Sequence, residues 1–172
     1  MRSLAALENR RIRNALEAAE RRIAMSNLPG KVSGEHIDRE KRLIRLKLGE
    51  TADGQPILGP WSRWQEAGAG GLKIHSEPAP NEQMMLTSFS GTVGSASIAV
   101  PATYDQDHEA PSKSGDTAVM ERGGGRIEIG PNGVKVLGPF RVEGDVFEHN
   151  GKNVGSDHGH VSAPPGPPGP PV

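Results

Sequence analysis

The stretch Arg126-Ile127-Glu128-Ile129-Gly130-Pro131-Asn132-Gly133-Val134-Lys135-Val136 decides how this 172-residue chain has to fold. Apolar and polar residues alternate along it, the period of a strand with one face buried. Gly130 to Gly133 is turn material. Beyond a second turn at Gly138-Pro139 the alternation resumes in Phe140-Arg141-Val142-Glu143 and Gly144-Asp145-Val146. Each predicted strand is three or four residues long and buries one or two side chains, so one chain cannot build a core from them. Short strand repeats gain stability by stacking on neighbours. Winding three identical chains together does the same and removes free sheet edges. A single-chain solenoid with very short rungs is the alternative.

Downstream lies His149-Asn150-Gly151-Lys152-Asn153-Val154-Gly155-Ser156-Asp157-His158-Gly159-His160-Val161. Asn150-Gly151 favours a type I′ turn, because both residues tolerate positive φ. In an extended segment His158 and His160 project to one side, and Gly159 between them allows close backbone approach. Neutral imidazoles suit iron, nickel, copper or zinc. Two such ligands hold a metal weakly. Repeated about a threefold axis they become six, which satisfies an octahedral ion and disfavours tetrahedral zinc. The plainer reading is an exposed loop with two ordinary histidines. The tail, Pro164-Pro165-Gly166-Pro167-Pro168-Gly169-Pro170-Pro171, favours polyproline II, either as a brief collagen-like triple helix or as an extended unpaired segment.

Upstream, residues 105 to 125 read as a polar connector closed by Gly123-Gly124-Gly125, which lacks the Lys-Ser/Thr of a phosphate loop. Residues 28 to 104 read as a small β-domain. Leu43 to Leu48, Met84-Met85-Leu86 and Ser97 to Val100 are its candidate strands, and Asp53-Gly54 is a turn signal. Short strands divided by Gly and Pro fit a five-stranded barrel of the oligonucleotide/oligosaccharide-binding (OB) type. Residues 3 to 25 read as a helix with Ser3 as N-cap. Ile12, Leu16, Ala19 and Ile23 give it one narrow apolar stripe. Self-association through that stripe and packing on its own domain are both open.

Composition sets the outer bounds. Apolar residues make up 34% and aromatic residues 3%, too few for a thick single-chain core, so burial must come from an oligomer or go unmade. A net charge of −1 gives no overall field toward nucleic acid or anionic lipid. No cysteine is present, which excludes disulfides and thiol chemistry. No Gly-x-Ser-x-Gly, His-Glu-x-x-His or Walker motif occurs, and the acidic residues are dispersed, so no catalytic residues are assigned. His36, His75, His108 and His149 sit in separate polar contexts and read as surface histidines. The N-terminus lacks the apolar run of a signal peptide, and no stretch reaches the length of a membrane helix.

The run from Asn150 to His160 resembles the C-terminal signature of the baseplate assembly protein V family, the central spikes of contractile-tailed phages and related particles. Gly59-Pro60-Trp61-Ser62-Arg63-Trp64 with Ala67-Gly68 resembles the family's tryptophan-containing barrel stretch. Pro80-Asn81-Glu82-Gln83-Met84-Met85 resembles its Gly-Glu-Gln-Val element, with Asn81 where glycine is usual. The resemblance spans residues 28 to 161. It implies a homotrimer with a barrel collar, an intertwined three-chain β-helix and a pointed apex. There His158 and His160 of three chains would hold one iron ion in octahedral geometry, with room for additional structural ions.

The expectation is therefore a mainly β protein in five parts: a helix (1–27), an OB-like barrel (28–104), a connector (105–125), a trimeric spike with a metal tip (126–161) and a Pro-Pro-Gly tail (162–172). By the resemblance it is a non-enzymatic spike in the virion tail tip, assembled in the host cytoplasm. Its implied partners are the tail tube or hub, other baseplate proteins and, on sheath contraction, the host outer membrane; nucleic acid and small-molecule substrates are not among them. The alternatives are a barrel that binds a glycan, oligonucleotide or protein, and a hub or assembly component that never reaches the membrane.

Overall fold

Alternating burial along five strands builds the one core seen among the described residues, and those strands close into a barrel. The computed structural model describes residues 4–155; Ser3, the expected N-cap, lies outside that range, as do residues 156–172. The chain divides into two compact units at Ala110/Pro111.

The first unit begins with α1 (Leu4–Ala24), a stretch free of Gly and Pro, with Arg21 and Arg22 in its last turn where cations favour the helix dipole. None of its side chains is buried. Its base is fastened to the barrel: Arg22 Nε donates to the Ser90 carbonyl at 3.1 Å, and the Ser88 N–H donates to the Ser26 carbonyl at 2.7 Å. Gly91, at φ +68°, lies so close to the Arg22 carbonyl that any Cβ there would collide with it.

Eight strands follow: β1 (Asn27–Asp38), β2 (Leu43–Glu50), β3 (Pro56–Leu58), β4 (Ser62–Trp64), β5 (Gly68–Ala69), β6 (Lys73–Ile74), β7 (Gln83–Thr87) and β8 (Ile98–Pro101). Five of them run in the order β1-β7-β8-β4-β2, and β2 pairs back onto β1 to close the ring, with β3 added beside β2. All pairings in the ring are antiparallel except β4 with β8, where Arg63 faces Ile98 and Trp64 faces Ala99 in parallel. This is the OB-like barrel expected for residues 28–104. A small hairpin, β5–β6, lies between β4 and β7.

Every strand of the ring contributes to the core. Val32 comes from β1, Ile44 and Leu46 from β2, Trp64 from β4, Met84 and Leu86 from β7, and Ala99 from β8. The buried positions alternate with covered or exposed ones, the period of two a pleated strand requires. The three buried serines of the barrel are satisfied: Ser88 and Ser97 share a hydroxyl hydrogen bond at 2.6 Å, and Ser62 Oγ donates to the Pro60 carbonyl. Asn81 takes φ +65°, a left-handed conformation that asparagine tolerates better than most residues.

The second unit contains β9 (Ala118–Arg122), β10 (Gly125–Gly130), β11 (Gly133–Leu137), β12 (Glu148–His149) and β13 (Lys152–Asn153). Two expectations are corrected here. The connector expected over 105–125 contains strand β9, and Gly123-Gly124 forms the two-residue turn of a hairpin, with Gly123 at φ +58°. Phe140 to Glu143 and Gly144 to Val146, expected as strands, form none within this chain. Their alternation is real, but no strand among the described residues pairs with them to complete a ladder.

Both tryptophans lie in or beside the barrel wall, so their fluorescence reports on that unit. Leu86→Ala, at a fully buried position, should cost about 2–5 kcal/mol, read as a lower urea midpoint with an unchanged slope.

Candidate functional site

Strands β9, β10 and β11 form an antiparallel sheet whose register fixes which side chains share a face. Met120, Ile127 and Val136 stand in one row, and Ala118, Ile129 and Val134 in the next. Directly paired residues point to the same side of a sheet, so one face is apolar throughout. The other face carries Glu121, Arg126 and Leu137 in one row and Val119, Glu128 and Lys135 in the other. There Arg126 is held firmly. It pairs with Glu121, donates through Nε to Glu128 at 2.6 Å, and donates through Nη1 to the Pro111 carbonyl at 2.9 Å.

The burial is the reverse of a soluble sheet. Along β10 the charged positions Arg126 and Glu128 are partly covered, while Ile127 and Ile129 are exposed. Met120 and Val134 are 67% and 66% exposed. Among the described side chains from Pro111 to Gly155, none is buried. Phe140, Val142, Val146, Phe147 and Val154, nearer the C-terminal end, are exposed as well. A single soluble chain does not ordinarily leave such a contiguous face to water; faces of this kind mark contact surfaces.

The register is set by two tight turns. Gly123-Gly124 joins β9 to β10, and Pro131-Asn132 joins β10 to β11, with Gly133 at φ +101°. At the end of the described chain, Glu148 pairs with Asn153 and His149 with Lys152. Asn150 and Gly151 between them stand at φ +52° and +72°, the doubly positive turn expected there. This hairpin leads directly into the run that holds His158 and His160. Both histidines lie outside the described residues. Among the described residues, no three His, Asp or Glu side chains gather as metal ligands.

The other histidines are placed in the structure as follows. His149 lies in β12, and His36 shares a hydrogen bond with Ser33 Oγ at 2.9 Å beside Trp61. His75 meets Glu66, whose Oε1 lies 2.7 Å from His75 Nδ1 and also accepts from Trp64 Nε1 and Arg42. The Ser76 N–H donates to Glu66 Oε2, and His75 foremost, with Ser76 and Trp64, holds the Glu66 carboxyl below its ordinary range. The sequence alone gives no signal for this cluster, because its members are joined only by the hairpin that follows β4.

A second cluster ties the chain leaving β8 to the barrel. Lys31 Nζ lies 2.9 Å from Asp105 and 2.7 Å from Asp107, while Asp105 Oδ1 accepts from the backbone N–H groups of Asp107 and His108. The Lys31 ammonium foremost, helped by the His108 and Asp107 backbone N–H groups, lowers the Asp105 pKa from 3.8 to about 2. The lysine occupies the position where a cation would balance the two carboxylates, so the arrangement is a strap.

No protein-family model matches the chain, and no curated protein shows a significant match to it.

A carboxyl group whose pKa is lower in the folded than in the unfolded state stabilises the fold above its unfolded value. That contribution fades as the pH falls through the folded value. Stability of the barrel should therefore decline between about pH 4 and pH 2 in part through Asp105. Asp105→Asn should be less stable at neutral pH and flatter across that window, as measured by urea unfolding at a series of pH values.

Proposed function

We propose that the chain is the structural central spike of a contractile phage tail or tail-like particle, working as a homotrimer with a metal-stapled tip. The observation that carries this reading is the bare apolar face of Met120, Ile127, Ile129, Val134 and Val136. Burying one such side chain fully stabilises by about 1.5–3 kcal/mol, and none of the described residues covers these. Three copies laid face to face would supply the missing core. Their outward faces would then carry the Arg126, Glu121 and Glu128 network, which suits water.

The OB-like barrel and the doubly positive Asn150-Gly151 turn agree with the family that the sequence resembles. His158 and His160 follow that turn closely. Six imidazoles from three chains suit one octahedral iron ion, and such an ion would join the chain ends where side-chain burial is least. A saturated ligand shell leaves no open position for a substrate, so the role proposed for the ion is structural. A stiff tip of this kind, fixed beneath the tail tube or hub, would be driven through the host outer membrane on sheath contraction.

Light scattering of the full chain should give the mass of a trimer, and elemental analysis about one iron per three chains. A monomer without bound metal would overturn the proposal, and tight, salt-dependent binding of single-stranded DNA would favour the barrel as a binding module instead. Joint replacement Ile127→Asp and Ile129→Asp should dissociate the trimer while leaving tryptophan fluorescence unchanged. Joint replacement His158→Ala and His160→Ala should remove the iron, again with the barrel folded.

A further inference from the structure

Helix α1 has an apolar stripe that its own unit leaves uncovered. Ile12, Leu16 and Ile23 are 61%, 58% and 73% exposed, and the described attachments to the barrel lie at the helix base, through Arg22 and Ser26. A helix with no buried face gains nothing from tertiary packing and depends on residue propensity alone. The opposite side carries Arg10, Glu17 and Arg21, so the stripe is a true face.

We infer that α1 packs against the α1 helices of two further copies of this chain as a short parallel three-helix coiled coil. This rests on the threefold reading above, because a threefold axis forces the helices to run parallel. The stripe follows a heptad: Ala5, Ile12 and Ala19 at the d positions, Asn9, Leu16 and Ile23 at the a positions. Leucine at a with isoleucine at d favours three or four strands over two. Charge agrees with parallel packing. Glu8, at the g position, faces Arg13 at the next e position of a neighbouring helix, the pairing that parallel coils use. The polar Asn9 in the seam fixes register, as a single buried polar residue does. Leu4 and Leu7 lie off this seam, on the face shared with Arg11 and Asn14.

The chain has no cysteine, so one introduced thiol reports cleanly. Full-length Leu16→Cys, oxidised mildly, should convert up to two of every three chains to covalent pairs, since a seam position brings Cα atoms within disulfide reach. Full-length Asn14→Cys, on the far side of the helix, should stay unlinked. A short bis-maleimide repeats the comparison for sulfurs that meet off disulfide geometry. A trimeric mass in which neither variant links, or both link equally, overturns the coiled coil and leaves the threefold spike standing. A monomeric mass for the unmodified chain overturns both.

Discussion

Bulky apolar side chains are scarce in this chain, and the first unit spends most of those it can bury on one small ring. Val32, Ile44, Leu46, Trp64, Met84, Leu86 and Ala99 form the core of a five-stranded barrel closed by the parallel β4–β8 pair. Nothing comparable exists from Pro111 onward among the described residues. The two units therefore reach stability by different routes. One buries apolar surface within a single chain. The other forms regular, well-registered strands and leaves its apolar face uncovered.

Polar contacts take over where the core is thin. Glu66 gathers the indole of Trp64, the His75 ring and the Ser76 backbone onto one carboxylate, which ties the β5–β6 hairpin to the barrel wall. Lys31 similarly straps the segment after β8 through Asp105 and Asp107. Exposed ion pairs contribute little individually. These are better understood as positional ties, each holding a hairpin or segment in which no apolar side chain is buried.

Much of this was legible in the sequence, for definite reasons. Strands β2, β7 and β8 announced themselves because alternation in Leu43–Leu48, Met84–Leu86 and Ser97–Val100 reflects burial on one side. The Asn150-Gly151 turn was legible because few residue pairs accept two successive positive φ angles. Strand β1 was not, since Pro29, Gly30 and Gly34 interrupt its pattern; Gly30 is there because a Cβ would press on the Lys47 carbonyl and Leu46. Strand β9 was hidden by the polar run before it and by a turn of glycines after it. Phe140 to Val146 misled in the opposite sense, because alternation records a face to be buried and says nothing of whether the same chain provides the neighbouring strand. For His158 and His160, residue type and spacing suggest a ligand pair, while their number about any ion depends on how many chains meet.

The two-residue turns at Gly123-Gly124 and Pro131-Asn132 bear on the order in which the molecule is made. They keep the contacts of the β9–β11 sheet local in sequence, and local contacts form fast. The sheet can thus be complete before any partner arrives, with β9 and β11 as open edges and an oily face between them. Such a species adheres to whatever it meets. On the threefold reading, the barrel matures at a rate independent of concentration, whereas the second unit waits on encounter between chains. Synthesis that delivers sister chains close together would then favour correct assembly over aggregation.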